Sequence, residues 1–349
     1  MKLDSLIQTR LPFVIYKKPN SGKLHIIQQN STELLTDKNF QTEGFYFAPF
    51  DFKKHPVIVF PEKNSKKETY FIRNFSMPDT GKIKLKNLQI NKQEAEKHQN
   101  KIAKAIKFIQ RGEIEKVIIS RKQEIPYDDF DIFYAVLKLM QNYEHSFVYL
   151  WHHPQKGTWL GATPELLLEY YHKQIKTVAL AGTLPVKKNE PVSWENKEIK
   201  EQEIVTNYIT EKLQILTNKL KVGKTHTIYQ GNLAHLKTEI TAEFAPENIN
   251  QILLSLHPTP AVCGIPVEKA KHIIDKIENY DRKYYTGFLG YKKQKEGFFY
   301  VNLRSTEVLP NKLLIFVGGG ILANSQKNKE WEETLQKSKI IMSLFNKNI

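Results

Sequence analysis

Acid–base chemistry needs a proton donor and a proton acceptor held away from bulk water, and this chain carries candidates for both. Glu165 opens the apolar run of leucines at 166–168 within LGATPELLLEYY. A carboxyl among leucines is partly desolvated, which raises its pKa and suits it to donate a proton. The alternative is an edge-strand glutamate facing water, because Glu is seldom buried unpaired. Lys116 heads KVIISR, where strand alternation puts it on one face with Ile118 and Ser120. A lysine so placed can lose hydration and serve as a base, or it can pack its stem and reach water with its ammonium.

Two further patterns concern charge. Glu198, Glu201, Val205, Tyr208 and Lys212 recur at steps of three and four, and Glu330, Glu333 and Lys337 repeat the arrangement near the C-terminus. Carboxylates from two separate helices, with water completing an octahedron, make the hard oxygen set that Mg²⁺ accepts. Acids in a first helical turn also suit the helix dipole, and that reading stays open beside the first. Gly318, Gly319 and Gly320 end an apolar run, where backbone N–H groups can approach an anionic group unobstructed. No Gly-Lys-Ser/Thr follows them, so this is not a Walker loop. LHPTPAVCG at 256–264 fixes an irregular backbone, either a binding loop or a structural corner.

These residues need elements to position them. Residues 1–90 read as short antiparallel strands with Asn, Ser, Pro and Lys turns, and residues 91–111 as an amphipathic helix with Gly112 past its end. A strand at 116–121 follows, then a helix capped by Asp128 or Asp129 and running to about Asn142. Strands at 146–153, 158–170 and 173–184 continue as a meander, the last ending in Ala181, Gly182 and Thr183. The spacing predicts a long helix over 194–220 capped by Ser193, strands within 226–244, a short helix near 247–256 and another over 266–280. Two strands follow, and Arg304 lies on the polar face of the second, FFYVNLRSTEV. A last helix spans 327–345.

Composition bounds the classes. Across 349 residues, 40% hydrophobic and 26% charged residues are ordinary globular values. The longest apolar run near the C-terminus, 313–323, falls short of the roughly 20 residues a membrane helix needs. The first residues lack a cleavable leader pattern and the lone Cys263 cannot form an internal disulfide, so a cytoplasmic protein is expected. The net charge of +15 is open to two readings, an anionic partner or simply a solvated lysine-rich surface. Nucleic acid is the outlying possibility, although the lysines are spread along the chain without zinc-finger spacing, an RNP-like strand or a basic heptad.

The ordered set KVIISR, LGATPELLL, ALAGTLP, KEIKEQEIV, HLKTEI, LHPTPAVCG, YDRKYYTGFLGY, FYVNLRSTEV, FVGGGILANS and EWEETLQK resembles the chorismate-utilising enzymes. The group includes isochorismate, salicylate, anthranilate and aminodeoxychorismate synthases. The resemblance covers residues 90–345 and implies an α+β fold of two large stacked antiparallel sheets flanked by helices. One domain would span 1–349, with divergent strands at 1–90 and the catalytic region at 91–345. Carried over by position, Lys116 would activate water and Glu165 would protonate the departing hydroxyl. Glu201 and Glu333 would bind Mg²⁺, with Glu330 and Glu198 nearby. Gly182, Thr183, His235, Ala261, Arg304, Gly318, Gly320 and Lys337 would contact chorismate, Arg304 and Lys337 matching its two carboxylates. Lysine at 116 and Ala261 are similar to isochorismate synthases, and salicylate synthase is the alternative. The resemblance further implies no glutaminase subunit, no nucleic-acid or membrane partner, a monomer, and a product destined for menaquinone, siderophores or salicylate. Gln202 departs from the pattern, many relatives having His there.

Overall fold

The computed structural model describes residues 3–75, 83–85, 92–186, 192–230 and 233–342. Residue 91 and residues 343–345, the ends of two predicted helices, lie outside that set. Among the described residues the strands form two antiparallel sheets of ten and nine strands. Across the first, the order is Gly264–Ile265, Lys116–Phe130, Lys312–Ile321, Ser305–Leu309, Gly157–Thr163, Phe147–His153, Phe13–Lys17, Lys23–Gln29 and Ser65–Phe71, with Ile83–Leu85 added beside Lys116–Phe130. Across the second it is Thr217–Val222, Leu233–Phe244, Gln174–Pro185, Leu166–Tyr171, Glu296–Val301, Phe288–Lys292, Gly44–Ala48 and Ile58–Pro61, with His226–Gln230 beside Leu233–Phe244.

Both faces of each sheet are covered, and alternation sorts the side chains between layers. In Phe13–Lys17, Val14 and Tyr16 join the layer between the sheets, while Phe13 and Ile15 join the outer layer with Phe133 and Val136. The middle layer is aromatic: Phe47 stacks on Trp151 with centroids 4.4 Å apart, and Trp159 stacks on Phe316 at 5.6 Å. Each such ring removes on the order of 200 Å² from water, ~5 kcal/mol at ~25 cal/mol per Å². An exposed ion pair contributes ~1 kcal/mol at most, so this layer and not the surface lysines joins the sheets. Helices Lys92–Gln110 and Val267–Glu278 pack on the Lys116 strand through Ile102, Ala105, Val117, Ile119, Ile273 and Ile277. Helices Asn196–Leu216 and Ile249–Leu256 cover the second sheet through Val205, Ile209, Ile252 and Leu253. No helix among the described residues is long and apolar enough to cross a membrane.

Several expected boundaries move, each for a local reason. The strand opened by Lys116 runs on to Phe130, because Lys312–Ile321 pairs along it as far as Pro126. The next helix therefore starts at Ile132, and Asp131, not Asp128 or Asp129, caps it by accepting from the N–H groups of Phe133 and Tyr134. The helix expected to reach 220 ends at Leu216, and Thr217–Val222 becomes an edge strand beside Leu233–Phe244. Glu195, whose side chain makes no capping hydrogen bond, stands at that helix's N-cap in place of Ser193. The largest change is at 158–170. Pro164 has no N–H to give a ladder, and the run divides into Gly157–Thr163 in the first sheet and Leu166–Tyr171 in the second. Pro164 and Glu165 are thus a crossover between sheets rather than part of a meander.

Candidate active site

The chain makes a second crossover beside the first. Glu296–Val301 lies in the second sheet and Ser305–Leu309 in the first, so residues 302–304 pass between them. The crossovers are joined by hydrogen bonds: Val301 N–H donates to Glu165 O at 2.9 Å, and Ala162 N–H donates to Arg304 O at 3.2 Å. Arg304 adopts a left-handed backbone, φ 49°, at this corner. The irregular backbone leaves a cavity between the sheets, lined by Glu165, Gly182, Thr183, Glu201, His235, Ala261, Arg304, Gly318, Gly320 and Lys337. Ten residues singled out from sequence therefore meet in one place.

Glu165 is 6% exposed, and burial pushes its carboxyl up to about 7 although Lys116, Lys337 and Arg304 pull the other way. The solvated-edge alternative for Glu165 is excluded. Lys116 is wholly buried just behind the cavity wall, with Nζ 3.0 Å from Glu201 Oε1 in an ion pair. Burial acts to raise the Glu201 carboxyl, but Lys116, Lys197 and Lys337 outweigh it and hold the group below its usual range.

His235 connects two walls. Burial, Arg304 and Lys337 hold its pKa well below the ordinary value, so the ring is neutral. Its Nδ1 lies 3.1 Å from Thr183 Oγ1 and 3.3 Å from Gly182 O, and its Nε2 lies 3.2 Å from Arg304 Nη2. A guanidinium can only donate, so Nε2 accepts from Arg304 and Nδ1 carries the proton toward the Gly182 carbonyl. Burial brings Arg304 down to about 10, leaving it cationic at neutral pH. Gly182 sits at φ 71° on a bulge opposite Leu233–Phe244, where a Cβ would meet Glu198 Cβ and O, both at 3.1 Å. A side chain there would push away the helix that bears Glu198 and Glu201.

The triple glycine has a similar reason. A Cβ on Gly320 would stand 2.1 Å from Glu201 Oε1, and one on Gly319 would touch Glu330 and Glu333, each at 3.4 Å. The glycines make room for carboxylates as much as for a ligand. Of the remaining predicted residues, Glu198, Glu330 and Glu333 do not line the cavity but flank it on helices Asn196–Leu216 and Lys327–Met342. Lys337 Nζ donates to Glu333 Oε1 at 2.6 Å and to Gly318 O at 3.0 Å, and Lys197 Nζ donates to Glu330 Oε1 at 2.7 Å. Among the described residues no three Asp, Glu, His or Cys side chains already converge as a metal cage. Each carboxylate is turned toward a lysine instead, save Glu198. Glu198 Oε2 and Glu330 Oε2 are buried with no hydrogen-bond partner among the described residues. Burial raises both of these carboxyls, and neighbouring Glu333 adds to the effect at Glu330.

A family model described as chorismate binding enzyme matches residues 59–346. The chain belongs to that family. Isochorismate synthase MenF of Haemophilus influenzae is 29% identical over 262 residues, covering 70% of this chain and 59% of that protein. This family member thus spans less than two thirds of the length of that curated relative. Among solved structures, DhbC from Bacillus anthracis, a proposed 2,3-dihydroxybenzoate-specific isochorismate synthase, superposes with a TM-score of 0.81 at 22% identity, covering 98% of this chain and 100% of its own. The menaquinone-specific isochorismate synthase MenF of Escherichia coli gives 0.78 at 20% identity, with 96% and 89% covered. These likenesses establish the two-sheet fold of the family.

Sequence reasoning missed several neighbours of the site. Tyr285, Thr286, Leu303 and Phe316 line the cavity, with Tyr285 stacked on Phe316 at 5.3 Å. Tyr285 and Thr286 lie in YYTGFLGY, 284–291, which reads as a strand throughout, whereas the strand begins at Phe288 and nothing in the alternation marks the tight turn before it. Lys197 was passed over although it lies one residue before Glu198. Burial would lower its pKa, but Glu330, Glu333 and Glu201 together hold it above the ordinary lysine value. A lysine beside a pair of acids that face inward was the available signal.

Proposed function

We propose that this protein is an isochorismate synthase, converting chorismate to isochorismate with Mg²⁺. The observation that carries the reading is the buried Glu165 carboxyl, pushed up to about 7, in the cavity that Glu201 also lines with Lys116 paired to it just behind the wall. A protonated acid and a nearby amine are what an allylic exchange of hydroxyls requires. Lys116 takes a proton from the water that attacks C2 of the ring, and Glu201, 3.0 Å away, stabilises the ammonium that results. The ring double bonds shift, the C4–O bond breaks, and Glu165 delivers its proton to the leaving hydroxyl. One water enters and one leaves, so the reaction is an isomerisation. Arg304 and Lys337 hold the two substrate carboxylates, and neutral His235 orients Arg304.

Mg²⁺ would be held by Glu201 and Glu333, with Glu198 and Glu330 beside them, and when bound it neutralises and orients the ring carboxylate. Hard carboxylate donors and the two unpartnered buried oxygens of Glu198 and Glu330 fit that ion. In the structure, lysines supply the compensating charge for Glu201, Glu330 and Glu333.

Purified protein given chorismate and Mg²⁺ is expected to form isochorismate, identified by chromatography. Salicylate with pyruvate, or no turnover, overturns the assignment. Lys116→Gln and Glu165→Gln are expected to bind chorismate but lose on the order of a hundredfold to ten-thousandfold in kcat.

A further inference from the structure

The strand bearing Lys116 pairs with Lys312–Ile321 from Val117 to Pro126 on one side; on the other, among the described residues, Gly264 and Ile265 pair with its start, at Val117 and Lys116, while Ile83–Leu85 pairs only with its far end, at Tyr127, Asp129 and Phe130. Beyond them the chain of the 256–264 loop turns away, after Cys263 O accepts from Ile118 N–H at 2.8 Å. The next groups on that edge, the carbonyl of Ile118 and the N–H of Ser120, would be orphaned inside the protein, at a cost of about 1–3 kcal/mol each. A buried ion pair meets them. Arg282 Nη2 donates to Ile118 O at 2.8 Å, and Glu278 Oε1 accepts from Ser120 N–H at 2.7 Å. Arg282 and Glu278 are 2% and 1% exposed and bind each other in two hydrogen bonds, from Nε at 2.9 Å and Nη2 at 2.6 Å.

The same guanidinium reaches two more segments. Arg282 Nη1 donates to Val262 O at 2.9 Å and to Thr286 Oγ1 at 3.3 Å. Ile118, Val262 and Thr286 come from a strand, a loop and a turn, and all three line the cavity, whereas Arg282 and Glu278 do not. We propose that Arg282 and Glu278 are positioning residues that act as a substitute edge strand, freeing the 256–264 loop to leave the sheet and fixing three separate walls of the substrate cavity against one another. The planar fork suits the task, since one group must satisfy acceptors in several directions at once, which a lysine ammonium on a flexible stem does less well. The carboxylate-bearing helices Asn196–Leu216 and Lys327–Met342 take no part in these bonds.

That separation makes the inference testable, resting as it does on chorismate as substrate. Arg282→Lys and Glu278→Gln, in the full chain, are expected to raise the KM for chorismate by roughly tenfold or more through misplaced walls. Their Mg²⁺ affinity, measured by calorimetry without substrate, should stay within about twofold of the parent's, as additivity of separate sites requires. Ser120→Ala removes the hydroxyl that reaches Glu278 Oε1 at 2.8 Å and Tyr280 Oη at 2.5 Å but keeps the backbone bond to Glu278, so it weakens the same cluster if the charge variants do not fold, with a smaller rise in KM. A merely structural role would lower thermal stability and the active fraction, hence apparent kcat, with KM unchanged. Folded variants with the parent's KM, or a matching loss of Mg²⁺ affinity, overturn the inference. A parent protein that turns over no chorismate overturns the proposed function and this inference together, whereas an active parent with unaffected variants overturns this inference alone.

Discussion

Replacing Glu165 by Gln should make the protein more stable above neutral pH while lowering its kcat on chorismate by roughly a hundredfold or more. The Glu165 carboxyl is raised from 4.5 to about 7 by burial. An unfolded chain would release this proton near the ordinary value, whereas the folded chain keeps it to about 7. As pH rises through that window the unfolded state sheds a proton that the native state retains, so stability falls, and the deficit is complete above about pH 7. At ~1.36 kcal/mol per pH unit the deficit is about 3 kcal/mol. With ~2.1 cal/mol/K per residue, a chain of 349 residues has an unfolding entropy near 0.7 kcal/mol/K, so the difference is roughly 4–5 °C in Tm. Gln has the same shape and does not titrate. Calorimetry of parent and variant should give matching Tm values at pH 4 and a variant ahead by roughly 4 °C at pH 8. The parent's kcat/KM should decline on the alkaline side with a midpoint of about 7, as loss of a general acid requires. A variant no more stable than the parent at pH 8, or one that keeps near-parental kcat on chorismate, refutes the view that burial tunes this carboxyl for proton donation.

The other predictions probe the carboxylates and the fold. Gly320→Ala would put a Cβ 2.1 Å from Glu201 Oε1, so the folded variant should lose at least roughly tenfold in Mg²⁺ affinity by calorimetry; unchanged affinity would show that Glu201 has room to move or does not bind the ion. Exhaustive chelation should stop turnover and added Mg²⁺ should restore it, and Glu333→Ala should shift the Mg²⁺ dependence by at least tenfold, on the order seen when a metal's ligand environment is damaged. A Glu333→Ala enzyme with the parent's Mg²⁺ titration would count against that ligand. Asp131→Ala removes the cap of helix Ile132–Asn142 and should cost about 1 kcal/mol, a Tm loss of 1–2 °C, with kcat and KM unchanged.

The sequence carried the site's residue types better than its geometry. Alternation in KVIISR correctly put Lys116 on the face of Ile118, and the step of three correctly put Glu198 and Glu201 on the buried face of one helix. Periodicity is a property of one element, so it survives in a single chain. What it cannot carry is the relation between elements. LGATPELLL reads as one continuous strand because both halves are β-prone, and only the pairing of Leu166 with Tyr300 and of Thr163 with Phe147 shows that they belong to different sheets. The extension of the Lys116 strand to Phe130 has the same origin: Asp128 and Asp129 are good caps locally, but the ladder to Lys312–Ile321 overrides them. Gln202 was noted only as a departure. It donates to Thr238 Oγ1 at 2.9 Å and to Ala179 O at 3.1 Å, fastening its helix to the second sheet next to Glu201.

Glu165 and Glu201 show how far environment, rather than residue type, sets the chemistry. Both are glutamates, both are buried, and both line the same cavity. Burial alone would protonate each of them. At Glu165 the cations that oppose burial act from a distance and none forms an ion pair with it among the described residues, so desolvation wins and the proton stays. At Glu201 Lys116 Nζ stands 3.0 Å away with Lys197 and Lys337 beyond it, and the carboxyl is held below its usual range instead. The backbone enforces the difference. Glu165 rides on a proline-led crossover, and Glu201 reaches Lys116 only because position 320 has no side chain in the way. Two identical side chains in one cavity can therefore hold opposite protonation preferences, provided that one is paired and the other is not.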